Sequence, residues 1–502
     1  MYNFGIRVLE SIFERLLHRT FIFVVLLACI AQVQAQKLYF SNIPRLNNKA
    51  VYNRVIGENA GGIYVLRFRD ADLRGGFYVE RYSHSLDFIE SEDFELSKNE
   101  KLIRIYTTDS GLHYVVMRKN KEYTAIDLLH TSFKPGQLLG GSEIYRTSKL
   151  AAVDKPVMVA FSVNRKSTAI WVAEKDEKND AAYTCITVND RAEVKYLHRY
   201  ITPFESKYAE PSGAAVLNSG QSALIFEFSH EGKRSSDPAQ KQHLIITADS
   251  VLGTRFVGLG DHKYFLSDFE IVPDEFQKQF VIAGFYDYKK STAAHGMVTL
   301  RCSATDTLLQ TNFAAFDRKF VSNLIGAKQE EDGQDPENFF IRRMTPKSDG
   351  GYLIIAEYFE ITQQMETFYL NGVPQTSSKS VYNYNDIILV SVDSAGAVQW
   401  RHVINKRQSS FASQAHLHSL GIYICEKSVH LVYNDNSGQN NRVMHVSVED
   451  NGVLEQKIIL NPENEYMAII PLEGKQTGYN RFVTPLLQDR QTVLLQIITQ
   501  AP

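Results

Sequence analysis

The amino-acid sequence predicts an all-β protein built from repeated units of four strands, and three observations support this prediction. The 502-residue chain contains 29 Phe and 26 Tyr, residue types that favour strands, against only 2 Trp. Short apolar runs alternate with turn-forming residues along the chain, and no long helical pattern interrupts them. The third observation is a strand–turn–strand unit, YNYNDIILVSVDSAGAVQW (Tyr382–Trp400), whose pattern recurs along the chain.

This unit indicates how its strands are buried. From Ile387 to Val392 the run is apolar apart from Ser391, so both faces of the strand are expected to be buried. The DSAG segment at 393–396 has turn chemistry, and a second strand follows it. Similar outer hairpins alternate with apolar inner strands such as GGIYVLRFRD and SALIFEFSHE, seven of each. Four strands per unit, with each unit packed between its neighbours, are typical of a β-propeller.

The sequence predicts seven four-stranded blades, with eight as the alternative. The tail EYMAIIPLEGKQ and the later RFVTPLLQDRQTVLLQIIT supply at least two further strands, and KLYFSN near the N-terminus supplies another. These strands either complete a shared blade that closes the ring or form an eighth blade. Because no linker rich in Pro, Gly or Ser divides the chain, residues 36–502 are predicted to form a single propeller domain.

Residues 1–35 have the layout of a secretory signal peptide. A basic segment precedes the apolar run FIFVVLLACIA, and the small residues Val33 and Ala35 predict cleavage before Gln36. A membrane anchor is one alternative, but the apolar run is short for a bilayer span. A lipoprotein box, LLAC ending at Cys29, is the other, and the residue that follows it argues against it. We therefore expect export to the periplasm, the outer cell surface or the exterior, with no transmembrane span in the mature chain.

Composition and motifs exclude some functions without naming one. The net charge is −3 and no block of Lys and Arg stands out, so nucleic acid is not an expected partner. The sequence contains no GxSxG elbow, HExxH helix or phosphate-binding glycine loop. The WD40 marks are missing, and the Asp–Trp spacing in the opening unit does not fit a sialidase-type Asp box. The recurring motif is therefore interpreted as structural.

From about Phe265 to the C-terminus the sequence resembles a known group of proteins. The segments DGGYLIIAEYFE, YNYNDIILVSVDSAGAVQWRHVINKRQSS, LVYNDN and GFYDYKKSTAAHGMVTLRC are similar to the uncharacterised exported β-propeller proteins of Bacteroidota. The resemblance implies a propeller located in the cell envelope. It implies no activity.

Acidic residues provide two further hypotheses. Glu227 and Glu357 belong to apolar strands predicted to lie near the axis, where paired carboxylates from different blades could act as in a glycosidase. The acidic segment KQEEDGQDPEN offers Asp332, Asp335 and Glu337 as oxygen ligands for Ca²⁺. Its spacing is not that of a DxDxDG loop, so a solvated acidic loop without a cofactor is the favoured interpretation.

A long insertion gives the candidate binding surface. ITQQMETFYLNGVPQTSSKSVYNYN interrupts the sixth repeat, and long loops in compact domains tend to be functional or disordered. We expect it to share one face of the ring with the acidic segment and with KRQSSFASQAHLHS. The residues predicted to bind a partner are Phe368, Tyr369, Tyr382, Tyr384, His416 and His418.

Two functions are compatible with this sequence. The first is a non-catalytic binding or scaffolding module of the cell envelope that contacts protein, peptide or glycan through the face bearing the insertion. The alternative is an envelope hydrolase, acting on sugars through axial carboxylates. The absence of a recognisable catalytic set favours the first.

Overall fold

Eight antiparallel sheets make up the fold, which confirms the predicted β-propeller. The computed structural model describes residues 36–41, 52–68, 76–131, 138–229, 241–250, 253–258, 264–288, 293–303, 308–370, 373–435, 442–462, 466–488 and 491–499. The predicted signal peptide and Cys29 lie outside these residues. Within the described part of the chain, no helix has both the length and the apolar character required to cross a bilayer.

The strands follow one another blade by blade along the chain, after an initial strand that belongs to the last sheet, β1 (Lys37–Phe40). Blades 1 and 2 contain β2 (Tyr52–Asn59), β3 (Gly62–Phe68), β4 (Phe77–Tyr82), β5 (Phe88–Phe94), β6 (Glu100–Thr108), β7 (Gly111–Lys119), β8 (Thr124–Thr131) and β9 (Leu138–Thr147). Blades 3 and 4 contain β10 (Val157–Phe161), β11 (Ser167–Lys175), β12 (Asp180–Asn189), β13 (Val194–Glu205), β14 (Ala209–Val216), β15 (Ser222–Ser229), β16 (Lys241–Asp249) and β17 (Gly253–Gly258).

The second half of the ring includes two sheets that carry a fifth, short strand. Blades 5 and 6 contain β18 (Phe265–Asp274), β19 (Gln279–Asp287), β20 (Gly296–Ser303), β21 (Leu308–Ala315), β22 (Phe339–Pro346), β23 (Tyr352–Leu370), β24 (Val373–Val392), β25 (Val398–Ile404) and β26 (Gln408–Phe411). Blades 7 and 8 contain β27 (Gly421–Ile424), β28 (Ser428–Asp435), β29 (Arg442–Glu449), β30 (Leu454–Leu460), β31 (Met467–Ile469), β32 (Lys475–Gln476), β33 (Arg481–Gln488) and β34 (Gln491–Ile498).

Helical structure is confined to the connections. Two α-helices, α1 (Arg318–Ile325) and α2 (Ala327–Glu331), join blade 5 to blade 6. Asp317 caps α1 by accepting a hydrogen bond from the Phe320 amide at 2.8 Å. Short 3₁₀ helices occupy Ser206–Tyr208, Ala412–Leu417 and Pro471–Glu473.

The position of each strand in its blade explains its hydrophobic pattern. The second and third strands lie between neighbouring blades, and all nine residues of β19 are buried. The fourth strands β5 and β13 are at the rim, so their burial alternates along the strand. The turn after Val392 forms as predicted, with Gly396 at φ 88° and the Asp393 carboxylate accepting the amides of Ala395 and Ala397.

Eight apolar clusters fill the eight junctions between consecutive blades and close the ring. At the last junction, Val55 and Val65 of blade 1 pack with Val483 and Leu494 of blade 8. The eighth blade has the order β31–β33–β34–β1, so a strand from the N-terminal end pairs with the C-terminal strand. The blade number is therefore eight, the alternative count. The tail strands form a blade of their own, and the predicted strand at KLYFSN is its outer edge.

Candidate functional site

The insertion in blade 6 is a long two-stranded ribbon, which corrects its interpretation as a loop. Strands β23 and β24 continue past the blade, and Phe359–Leu370 pairs in antiparallel register with Val373–Tyr384. Strand β26 pairs with the base of β24 from Val381 to Tyr384. Alternating Thr, Ser and aromatic residues favour such a pairing, because they fit the pleated surface of a sheet.

The register places six apolar or aromatic side chains on one face of the ribbon, where Gln363 also lies and hydrogen-bonds with Ser378 and Ser380. Residues opposite each other share a face. Ile361 lies opposite Tyr382, and Phe359 opposite Tyr384. Met365 and Tyr369 continue the row toward the tip, where they are 67% and 73% exposed. We call this row, Phe359, Ile361, Met365, Tyr369, Tyr382 and Tyr384, the apolar face of the ribbon.

Three of the four predicted aromatic contact residues, Tyr369, Tyr382 and Tyr384, therefore share this face. The fourth, Phe368, points to the opposite side, where it faces Gln375. That polar side also carries an ion pair between Glu366 and Lys379, with 2.5 Å between Oε2 and Nζ.

At the base of the ribbon, Glu357 is the centre of a buried ion network. Its side chain is fully buried and its carboxylate accepts from Arg342 Nε at 2.8 Å, Lys406 Nζ at 2.5 Å and Ser419 Oγ at 2.5 Å. Burial lowers the pKa of Lys406, and the negative charge of Glu357 offsets only part of this effect. Gln408 Oε1 accepts a further bond from Lys406 Nζ at 2.7 Å. With these partners, Glu357 joins the ribbon to the end of blade 6 and the start of blade 7.

The two predicted axial acids occupy separate environments. Glu357 and Glu227 both lie on second strands, in blades 6 and 4, with blade 5 between them. Glu227 Oε2 is 3.5 Å from Nε2 of His243 on the next strand of its own blade. Neither acid lines the cleft of about 1270 Å³ that lies beside the ribbon. The described geometry thus gives Glu357 a structural role and adds no support to the hydrolase hypothesis for this pair.

The two predicted histidines differ in environment. His416 is exposed in the 3₁₀ helix Ala412–Leu417, whereas His418 is 2% exposed and packs 5.9 Å from the ring of Tyr384. Burial, reinforced by the charge of Lys406, lowers the pKa of His418 to about 4, so its imidazole is neutral at pH 7. His418 is not a surface contact, because it follows the 3₁₀ helix in extended backbone and its buried ring packs against Tyr384 at the base of the apolar face.

A cleft of about 1270 Å³ lies beside the polar side of the ribbon. The ribbon and β26 contribute Asn383, Asn385 and Ser409, and the segment after α2 contributes Asp335 and Glu337. Asp287, Tyr358 and Arg407 line it as well. As predicted, the insertion, the acidic segment and the KRQSSF segment are brought together.

Three side chains, two of which line the cleft, could hold a metal ion. The ligand atoms of Asp287, His295 and Asp335 all lie within 4.8 Å of one another, which is compatible with a shared ion at bond lengths near 2.0–2.4 Å. His295 Nδ1 is 3.3 Å from Asp335 Oδ2. Of the predicted Ca²⁺ ligands, only Asp335 belongs to this group. Asp332 is exposed at the end of α2, and Glu337 pairs through its backbone with Ala293.

Sequence reasoning missed Asp287 and His295 because they are eight residues apart and lie about forty residues before Asp335 in the chain. It also missed Arg342 in FFIRRMTP and Lys406 in VINKRQSS, each of which stands beside another arginine and belongs to no recognisable motif. A signal existed only for Glu357, as an isolated charge at the end of an apolar run.

Comparison with known proteins adds information on the general fold only. No protein-family model matches the sequence, and the curated proteins contain no match. The β-propeller domain of Nup133 from Vanderwaltozyma polyspora is 11% identical, with 84% of this chain and 98% of that chain covered and a TM-score of 0.40.

Two further solved structures show the same low similarity. Sqt1 from Chaetomium thermophilum, solved with the N-terminus of ribosomal protein L10, is 9% identical, with 90% and 100% covered and a TM-score of 0.41. A DUF4623 family protein from Bacteroides eggerthii is 9% identical, with 90% and 98% covered and a TM-score of 0.28. No conclusion about function rests on any of them.

Proposed function

We propose that the protein is an exported, non-catalytic binding module of the cell envelope, and that its ribbon binds an extended segment of another protein. The predicted signal peptide and the resemblance to exported propellers support export. The observation that supports binding is the exposed apolar face next to an open strand edge. The ring itself does not need the ribbon, because each blade already has four strands.

The ribbon has an open backbone edge. Strand β22 pairs with β23 only up to Tyr358, and in the described part of the chain only β24 pairs with Glu360–Leu370. An exposed strand edge offers unpaired N–H and C=O groups to another chain. Addition of a strand at such an edge is a recurring mode of peptide recognition, in which alternate side chains provide specificity.

The chemistry of the ribbon indicates the character of the partner. The only charged residues in its described part beyond Glu360 are Glu366 and Lys379, which neutralise each other. Contact energy must therefore come from backbone hydrogen bonds and from burial of apolar side chains. Ile361, Met365 and Tyr369 would bury their surface against apolar side chains on the same face of the incoming segment, a face formed by every second residue.

A phage-displayed library of random peptides, selected on the immobilised mature protein, provides the test. We expect enriched peptides with alternating apolar residues. The double variant, Met365→Ser with Tyr369→Ser, should weaken their binding by at least roughly 30-fold, which corresponds to the loss of about 2 kcal/mol at a single hot-spot residue. The matched control is Phe368→Ser, which removes a similarly exposed aromatic from the other side of the tip and should leave affinity unchanged.

Three outcomes would contradict the proposal. Selection could enrich no peptide, or the enriched peptides could bind the double variant as well as the wild type. Sedimentation at increasing concentration could also show a dimer that the double variant abolishes. In that case the ribbon pairs with a second copy of this chain and not with a different protein.

A further inference from the structure

Five cationic side chains from five different blades converge on the axis of the ring. Arg54, Arg104 and Arg343 lie on β2, β6 and β22, which are the first strands of blades 1, 2 and 6. Arg165 is in the turn between β10 and β11 of blade 3, and Lys475 is on β32 in blade 8. First strands of neighbouring blades contact one another in four pairs, β2 with β6, β10 with β14, β14 with β18 and β18 with β22. Side chains from blades on different sides of a ring can meet only there.

Side-chain contacts connect four of these residues in two pairs across blade boundaries. The guanidinium carbons of Arg104 and Arg165 lie 5.7 and 5.2 Å from the centre of the same ring, Phe161 on the first strand of blade 3. Lys475 Nζ donates to the carbonyl of Ile56 at 2.5 Å, two residues after Arg54 on β2. The cluster therefore spans the channel from blade 8 through blade 1 to blade 3.

The electrostatics confirm that the five charges act on one another. The pKa of Lys475 is lowered to about 7, first by burial and then by the charges of Arg165, Arg104, Arg343 and Arg54. Burial also lowers the pKa of Arg165, with further repulsion from Arg104 and Arg343.

Acidic groups compensate only part of this charge. Glu473 bonds to Arg54 with two contacts, 2.5 and 3.0 Å. Burial lowers the pKa of Arg343, and the charge of Glu270 offsets only part of that effect. Burial also raises the pKa of Glu270 itself to about 7 and that of Asp268 to about 6. The charges that act most strongly on Arg104, Arg165 and Lys475 are all positive.

Part of the cluster remains accessible to a ligand. Arg104, Arg165 and Arg343 are exposed although protein surrounds them on several sides, as expected for side chains that project into a solvent-filled channel. Like charges held together in such a place repel, and a bound anion would relieve that repulsion. Guanidinium groups match carboxylate and phosphate oxygens in pairs, which makes an oxyanion the best complement.

We propose that the axial channel binds a small multivalent oxyanion, carrying phosphate or carboxylate groups, between Arg104, Arg165 and Lys475. The site is separate from the ribbon and does not depend on it. It also differs from the acid-lined axis expected of a glycosidase, because the side chains that meet in this channel are mainly basic.

Isothermal titration of the mature protein with inorganic pyrophosphate and with citrate, in a low-salt chloride buffer, tests the proposal. We expect one anion bound per chain, with at least tenfold weaker binding in Arg104→Gln and in Lys475→Gln. The anion that binds more tightly shows whether the site prefers phosphate or carboxylate groups. The matched control, Arg191→Gln, removes an exposed arginine from the β12–β13 turn at the rim and should bind as the wild type does.

A stability measurement separates binding from folding. Without anion, Arg104→Gln should unfold at the same temperature as the wild type or above it, because the substitution removes a repelled charge, and pyrophosphate should stabilise only the wild type and the control. The proposal is wrong if neither anion binds, if Arg191→Gln weakens binding as much as Arg104→Gln does, or if both channel variants bind normally.

Discussion

Replacing Glu357 with glutamine should destabilise the ring strongly, because its contacts hold the fold together. Its carboxylate is fully buried, and the Lys406 side chain that it pairs with is 1% exposed. The substitution leaves a buried ammonium group without its counter-charge, while Gln408 and the Tyr384 carbonyl remain as uncharged acceptors. Breaking a buried ion pair by removing one partner typically costs about 3–5 kcal/mol. That is a large part of the roughly 5–15 kcal/mol that usually separates folded and unfolded states.

Strand β23, which carries Glu357, also carries a residue of an exposed ion pair that serves as the matched control. Glu366 and Lys379 form an ion pair of the same length on the ribbon, but their side chains are 38% and 50% exposed. Glu366→Gln should therefore change the free energy of unfolding by less than about 1 kcal/mol. The double variant Glu357→Gln with Lys406→Met should recover at least about 2 kcal/mol of the loss, because it removes the unpaired charge.

Urea unfolding, followed by circular dichroism and by tryptophan fluorescence, measures all four proteins. If the transitions from the two probes coincide, unfolding is two-state and each protein can be assigned a single free energy of unfolding. If Glu357→Gln costs no more than Glu366→Gln, or if Lys406→Met brings no recovery, the buried network does not hold blades 6 and 7 together.

Three further predictions follow from the ring, the N-terminus and the cleft. Deleting residues 491–502 removes the strand that links β33 to β1, so the unfolding temperature should fall sharply, whereas deleting 500–502 alone should leave it unchanged; full stability in the longer deletion would disprove closure through β34. Mass spectrometry of the protein from its native host should find Gln36 as the first residue, while lipid on Cys29 or an uncut apolar segment would overturn the expected processing. Zn²⁺ or Mn²⁺ should raise the unfolding temperature, and His295→Ala or Asp335→Asn should abolish the effect while Asp332→Asn preserves it; a Ca²⁺ effect that depends on Asp332 would favour the ligand set predicted from sequence.

The strands that the sequence revealed are those buried on both sides. Ile387–Val392 is a continuous apolar run because it lies between two blades, and its pattern could be recognised without neighbours. The first strands were harder to identify, since β6 and β22 place Arg104 and Arg343 toward the channel and lose the apolar pattern. Strand β31 has three residues, Met467–Ile469, too few for any periodicity, so the sequence left open the choice between a shared closing blade and an eighth blade.

The candidate sites could be predicted only where one segment carried the signal. The aromatic content of the insertion pointed to a contact surface, but cross-strand register decides that Tyr369 and Tyr382 share a face and that Phe368 does not. The metal-capable group and the axial cations are assembled from segments far apart in sequence. Their proximity is a property of the ring, which brings loops and first strands from separate blades to common places.

Hydrogen–deuterium exchange of the mature protein, with and without a saturating selected peptide, shows which strand edge the peptide pairs with. If a partner segment adds to the open edge of β23, amides within Glu360–Leu370 should exchange more slowly in the complex, because they gain hydrogen bonds. Residues 407–409 at the cleft should show no comparable change. Protection at the cleft, or no protection of Glu360–Leu370 in a complex that is demonstrably formed, would contradict binding through the ribbon.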